Sequence, residues 1–348
     1  MTARRIHTRI TELFGIEHPI LLGGMMHLSD ARIVAAVVNA GGMGYITPRS
    51  FDTLEDYRKE LHLCRELTNG KPFGVNLTFA SRAAQNAEIL DHIRIALEEG
   101  VRHFESAGNS PDQIVSVIHE GGGLLLHKCP SVRHALSAER LGVDAVALVG
   151  LEEGGHPGAN QLSAFVNGAF ALERLERTPL VIGGGIGSGA QIAAALAMGA
   201  DAVVMGSRFM AATEIWAHDA LKQRIIELDE HSSMPIMAHL STWRVMRNDA
   251  AIQARNLELA GVAKEYRDYG DLILSSRTRE QVYHKGDTNA GIVSFGPAGA
   301  FTNRVEPAGD IVRGLMEAAL KALEGAASRI IMDDGPAAHT SRPERARP

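Results

Sequence analysis

From His18 to about Ser207 the chain alternates short apolar, β-prone runs with longer stretches whose apolar residues return at helical spacing. The short runs are "HPILLGG", "GMGYIT", "PFGVNLTF", "VRHFESAG", "GLLLHKC", "DAVALVG", "PLVIGGG" and "DAVVMGS". Each precedes a helix candidate, among them "SDARIVAAVVNAGG", "TLEDYRKELHLCRELT" and "GAQIAAALAMGA", the sixth only after a longer loop. Several candidates open on Ser, Asp or Thr, whose side chains cap free N–H groups, and close on Gly. Strands apolar on both faces and separated by helices pair in parallel, so eight such units predict a closed (β/α)8 TIM barrel. The competing doubly wound sheet would carry G-x-G-x-x-G in its first βα turn, and "LLGGMMHLSDA" has none.

After "SRFMAATE" the rhythm stops. The pattern predicts a barrel over residues 1–214 and 285–330 and a smaller, mainly helical inserted domain over 215–284. The segment "AGDIVRGLMEAALKALEG" is amphipathic and is expected to pack back as the last barrel helix. The stretch 331–348 is polar and rich in Pro and Arg, too poor in apolar surface to offset its ordering entropy, and is expected to be a disordered tail.

Composition narrows the partners. The 348 residues are 45% hydrophobic and 22% charged, with a net charge of −6. There is no basic field for a nucleic acid. The N-terminal stretch lacks a signal-peptide core, and no apolar run approaches the ~20 residues of a membrane span. No membrane association and a cytoplasmic location are the expectations. Two cysteines, Cys64 and Cys129, suit unpaired thiols in a reducing compartment. No motif with metal-ligand spacing is found, so no metal is expected.

In a barrel of this kind, chemistry collects where the strands end. Those ends carry Gly24 and Met25 after the first strand, Asn76 in the third, Lys128 in the fifth, and "LEEGGHPG" after the sixth. At the seventh and eighth ends, "IGGGIGSGAQI" and "MGSRFMAATE" set glycines between strand and helix, where backbone N–H groups and a positive helix end can face an anion. Gly184, Gly185, Gly206 and Ser207 are therefore expected to form a phosphate cup, tight turns being the plainer alternative. Lys128 interrupts an apolar strand and either reaches a phosphate or the pyrimidine end of a flavin, or snorkels to the surface. Asn76 offers a donor and an acceptor to a ring edge, or caps a turn. Gly154 and Gly155 let the backbone approach a planar ligand, and His156 beside them is the candidate general base or anion anchor. Glu152 and Glu153 orient that imidazole, bond ligand hydroxyls or face water.

These stretches resemble the flavin-dependent nitronate monooxygenase family, once called 2-nitropropane dioxygenases, which includes NADH:quinone reductases and an enoyl-reductase branch. The likeness runs from "TRITELFGIEHPILLGGMM" through "NAGGMGYIT", "PFGVNLT", "GVRHFESAGNSP", "HKCPSVRHALSAERLGVDAV", "GGHPG", "PLVIGGGIGSG" and "GADAVVMGSRFMAATE" into "GDTNAGIVSFGPAG". It implies a barrel binding FMN, with the phosphate on Gly184, Gly185, Gly206 and Ser207. Met25, Asn76 and Lys128 would line the isoalloxazine, and His156 matches the family's catalytic histidine. The reaction implied first is oxidation of an alkyl nitronate by flavin and O2 to a carbonyl compound and nitrite. NAD(P)H:quinone reduction, enoyl-thioester reduction and a non-catalytic flavin-binding accessory role are the alternatives. Nitronate enzymes tend to read E-A-G-G-H, and this chain departs from that pattern at Glu153. The partners implied are a small nitronate or quinone with O2 or NAD(P)H, and a homodimer is admissible.

Overall fold

The helix α1 (Arg9–Phe14) precedes eight strands: β1 (Ile20–Leu22), β2 (Met43–Ile46), β3 (Gly74–Thr78), β4 (His103–Ala107), β5 (Leu124–Cys129), β6 (Ala145–Val149), β7 (Leu180–Gly183) and β8 (Ala202–Met205). Neighbours are parallel, and β1 pairs with both β2 and β8, so the sheet closes into the expected (β/α)8 barrel in chain order. The structure is a computed structural model and describes residues 5–79, 86–159 and 161–330; the tail expected over 331–348 lies outside the described residues.

Between the strands run α2 (Ala31–Asn39), α3 (Leu54–Leu67), α4 (Ile89–Glu98), α5 (Asp112–Glu120), α6 (Val132–Leu141), α7 (Ala164–Leu172) and α8 (Gly189–Met198). Asp30, Thr53, Ser131, Ser163 and Ser188 each accept a first-turn backbone N–H, caps worth about 0.5–2 kcal/mol apiece. Gly142 and Gly199 end α6 and α8 in the left-handed conformation.

Two layers of side chains hold the barrel. Leu21, Met43, Tyr45, Leu126, Ala145, Val181 and Ala202 form the inner cluster, joined by Ile10 and Phe14 of α1. Phe14 meets the ring of His103 edge-on at 5.3 Å, at the first residue of β4. The end where the strands begin is thereby plugged. On the outer side Leu22, Val75, Leu125, Ile182 and Val203 pack against helix residues such as Ile33, Val37, Ile93 and Ile118. Each fully buried aliphatic side chain contributes about 1.5–3 kcal/mol.

Beyond β8 the chain makes a long excursion through α9 (Asp219–Ile226), β9 (Ser233–Ile236), β10 (Trp243–Met246), α10 (Asp249–Leu259) and α11 (Ser275–Arg277), and ends on α12 (Ala308–Ala327). The strands β9 and β10 form an antiparallel pair where the pattern predicted mostly helix. They are four residues each, and Pro235 inside β9 removes a ladder donor, so neither carries a strong strand signal. The excursion also outlasts residue 284: Val245 bridges Ser294, Met246 N donates to Val293 O at 2.8 Å, and Ile292 enters a small core with Ile236, Val245, Ala251 and Tyr269. The helix α12 then packs beside α8 and α2, in the place of the eighth barrel helix. The approach is close enough that a Cβ on Gly189 would lie 2.6 Å from the Ala319 nitrogen.

Candidate active site

The open end of the barrel is organised by a carboxylate. Asn76 and Glu105 are register partners on β3 and β4, and Glu105 in turn pairs with Leu126 of the barrel interior, so Lys128, two residues further along β5, also faces inward. Glu105 is 0% exposed. Its Oε2 accepts from the Gly24 N–H at 3.0 Å and from Asn76 Nδ2, whose own Oδ1 accepts from Thr78 Oγ1 at 2.8 Å. Its Oε1 has no hydrogen-bond partner but lies 3.3 Å from Lys128 Nζ. The arrangement needs glycine at position 24, because a Cβ there would stand 2.3 Å from Asn76 Cβ.

A second carboxylate approaches the same ammonium. Glu153 Oε1 lies 3.8 Å from Lys128 Nζ. Burial opposes the charge on Lys128, but Glu105 and Glu153 outweigh it and hold its pKa above the ordinary value. Burial pushes Glu153 up to about 7, with Lys128 opposing and Glu105 adding to the rise. The nearer, fully buried Glu105 takes Lys128 as its counterion, and Glu153 is the surplus carboxylate.

Opposite this cluster the β7 and β8 loops close the mouth. Gly24, Met25, Lys128, Glu153, Gly154, Gly184, Gly185, Gly206 and Ser207 line one cavity of about 80 Å³. Gly184 and Gly185 have φ of 94° and 74°, and a Cβ on Gly185 would sit 2.9 Å from Glu152 Cβ. A Cβ on Gly206 would point at nothing nearer than Met25 at 3.8 Å, so its absence keeps the cup open. The start of α8 contributes less than the sequence suggests. Gln191 Oε1 takes the N–H groups of Gly187 and Ser188, and Gln191 Nε2 donates to Gly185 O. Ser207 Oγ accepts from Gly296 N at 2.9 Å and keeps its own proton to donate.

The loop after β6 is divided among three tasks. Glu152 turns away from the imidazole and accepts the Ala164 N–H at the head of α7 at 3.0 Å. Glu153 faces the mouth. Gly155 (φ 114°) exchanges two backbone hydrogen bonds with Arg244 of β10, at 2.9 and 2.7 Å, so the loop continues the sheet of the excursion. That pairing sets His156 on Trp243, ring centroids 5.3 Å apart and planes 15° off parallel, and Trp243 Nε1 is fixed on Ser294 Oγ at 2.8 Å. His156 is open to solvent on its outer side, and crowding by the mouth lowers its pKa below 6.5, which favours the neutral imidazole.

Of the residues singled out in sequence, Gly24, Met25, Lys128, Gly154, Gly184, Gly185, Gly206 and Ser207 share the cavity. Asn76 stands behind it on Glu105, while Gly155 and His156 sit at its rim with the excursion. Glu105, Trp243 and Arg244 escaped notice. A glutamate inside the apolar run "HFESA" was the available signal for the first.

Beside the cup lies an apolar groove of about 410 Å³ between α7, α8 and the turn Pro297–Phe301, lined by Phe165, Ile182, Ala195, Met198 and Phe301. It shares Glu152, Gly184, Gly185 and Ile186 with the mouth.

A parallel barrel with glycine loops at its last two strand ends and ionisable groups at its mouth is the frame of an enzyme. The family model for nitronate monooxygenase matches residues 7–318, and the chain belongs to that family of oxidoreductases. Over 223 residues it is 32% identical to the (3aS,4S,5R,7aS)-5-hydroxy-7a-methyl-1-oxo-octahydro-1H-indene-4-carboxyl-CoA dehydrogenase of Mycobacterium tuberculosis, covering 64% of this chain and only 61% of that protein's length. It is 29% identical over 269 residues to a nitronate monooxygenase of Paraburkholderia phytofirmans, covering 65% and 72%. The structure of FabK from Thermotoga maritima superposes with a TM-score of 0.84 at 29% identity, covering 93% of this chain and 100% of that one. No helix among the described residues is long and apolar enough to cross a membrane. Among the described residues no three His, Cys, Asp or Glu side chains are grouped to hold a metal ion.

Proposed function

We propose that this chain is an FMN-dependent oxidoreductase whose substrate presents an uncharged acyl group to the site, a thioester of the coenzyme A type before a nitronate. The observation that carries the reading is the apolar groove beside the mouth, which shares Glu152, Gly184, Gly185 and Ile186 with it and offers apolar surface to a substrate much larger than a small nitronate. The likeness to a carboxyl-CoA dehydrogenase supports it.

The residues present fit FMN. Gly184, Gly185, Gly206 and Ser207 would hold its phosphate, and Met25, Lys128 and Gly154 would lie along its ring system, with Asn76 behind them on Glu105 and Gly155 at the rim. When bound, FMN supplies the two-electron acceptor or donor. This chain would supply the rest: Glu105 holds the Lys128 ammonium inward, where its positive charge would serve a bound ring. Desaturation next to a thioester carbonyl also requires a proton to leave carbon, and Glu153 and His156 are the titratable groups at the mouth able to accept it.

A second reading, oxidation of a nitronate with O2, is favoured by the position of His156 on Trp243 at the rim, where it would act as base or anion anchor. The two separate on anaerobic mixing of FMN-loaded protein with a saturated acyl-CoA, with NAD(P)H followed by crotonyl-CoA or a quinone, and with propionate 3-nitronate. Flavin bleaching by the acyl-CoA, or NAD(P)H bleaching reversed by crotonyl-CoA, is expected. Bleaching by the nitronate alone would overturn the thioester reading in favour of the second.

A further inference from the structure

Lys128 is one positive charge facing two carboxylates. Glu105 Oε1 approaches its Nζ to 3.3 Å from below and Glu153 Oε1 to 3.8 Å from the loop after β6. Glu105 cannot move away, since the Gly24 N–H and the Asn76 amide hold its other oxygen. The Glu105–Lys128 pair is therefore neutral as a unit, and whatever enters the mouth meets Glu153 as an uncompensated group. A small residue at position 153 would remove that charge, leaving Glu152, which also lines the mouth but is held on the Ala164 N–H.

We propose that Glu153 is the residue that decides which substrates this mouth admits, turning away small oxyanions such as nitronates and leaving the site to neutral carbonyl compounds. The proposal rests on the FMN reading above and deepens it by naming the group that excludes the anionic class. The selection follows from Coulomb repulsion, since one unbalanced charge within several ångströms shifts an anion's affinity by about tenfold or more.

The groups around Glu153 fix how selection varies with pH. From β5 comes Lys128, held protonated by its two carboxylates; from β4 comes Glu105, paired to it. On its own loop, Glu152 is engaged at the head of α7, and His156, open to solvent on its outer side, is lowered below 6.5 by the crowding on its inner side. From β10, Arg244 donates to Leu151 O at 2.7 Å and stays on the outer side of the loop. Glu153, raised by burial to about 7, is thus the group here whose charge changes between mildly acidic and mildly alkaline solution. Anions should be refused at pH 8 and tolerated near pH 6.

The test is a titration of FMN-loaded protein with sodium nitrate, a planar oxyanion that is not turned over, followed by flavin difference spectra from pH 6 to pH 8 in wild type, Glu153→Gln and Glu153→Ala. The variants are expected to bind nitrate about tenfold or more tightly than wild type at pH 8, with wild type converging on them near pH 6. Equal dissociation constants at pH 8, or the same pH dependence in all three, would overturn the proposal while leaving FMN binding intact. FMN content, read by absorbance after denaturation, reports on the underlying reading by itself. A wild-type protein that retains no FMN overturns both.

Discussion

Replacing Lys128 by Met tests the claim that the mouth is built around a buried ion pair. At 3.3 Å and an effective dielectric constant of about 20, the attraction between Glu105 and Lys128 is about 5 kcal/mol. Removing one partner of a buried pair costs about 3–5 kcal/mol, because the other charge is stranded. Glu105 has no route to water, being 0% exposed. With an unfolding entropy of about 2.1 cal/mol/K per residue, Lys128→Met should lower Tm by about 4–7 °C. Adding Glu105→Gln removes the stranded charge while keeping an acceptor for Gly24 and Asn76, so the double variant should be more stable than Lys128→Met alone. Thermal unfolding followed by circular dichroism on the wild type, both single variants and the double variant gives the coupling directly. A double variant no more stable than Lys128→Met, or a Lys128→Met loss below about 1 kcal/mol, would show that the pair does not organise the mouth.

Three further outcomes are expected. Gly24→Ala places a Cβ 2.3 Å from Asn76 Cβ, so Asn76 must leave Glu105; a loss of about 1–3 kcal/mol in urea unfolding and weaker FMN retention are expected, and unchanged values would refute the contact. Trp243→Ala uncovers one face of His156 to water, which lifts its pKa back toward 6.5, measurable by NMR titration of the imidazole; an unmoved pKa would mean the stack does not shield it. Glu153 holds a proton in the folded state between its ordinary 4.5 and about 7, so stability falls as pH rises through that window. Glu153→Gln should therefore match wild type near pH 4.5 and exceed it by up to roughly 3 kcal/mol at pH 8, and a difference independent of pH would disprove the assignment.

The barrel was legible because β6 and β7 are apolar on both faces, a pattern with few alternatives to a covered parallel sheet. The two glycine loops that line the cavity were legible, although Gln191, which takes the first donors of α8, cannot be foreseen from one dimension. Glu105 was hidden because a strand's register, and so the inward direction of its side chain, emerges only on pairing with β3 and β5. Trp243 was hidden for a stronger reason: its contact with His156 spans 87 residues and depends on a strand too short to announce itself.

The single backbone bridge between Gly155 and Arg244 ties the barrel's sixth loop to the edge of the excursion's sheet. A lineage that rewrites the excursion can thus re-aim the acid and the imidazole of the loop without altering a single stave of the cask. Diversity of chemistry in such a scaffold can then come from an interchangeable lid-side module, while the floor and walls stay constant.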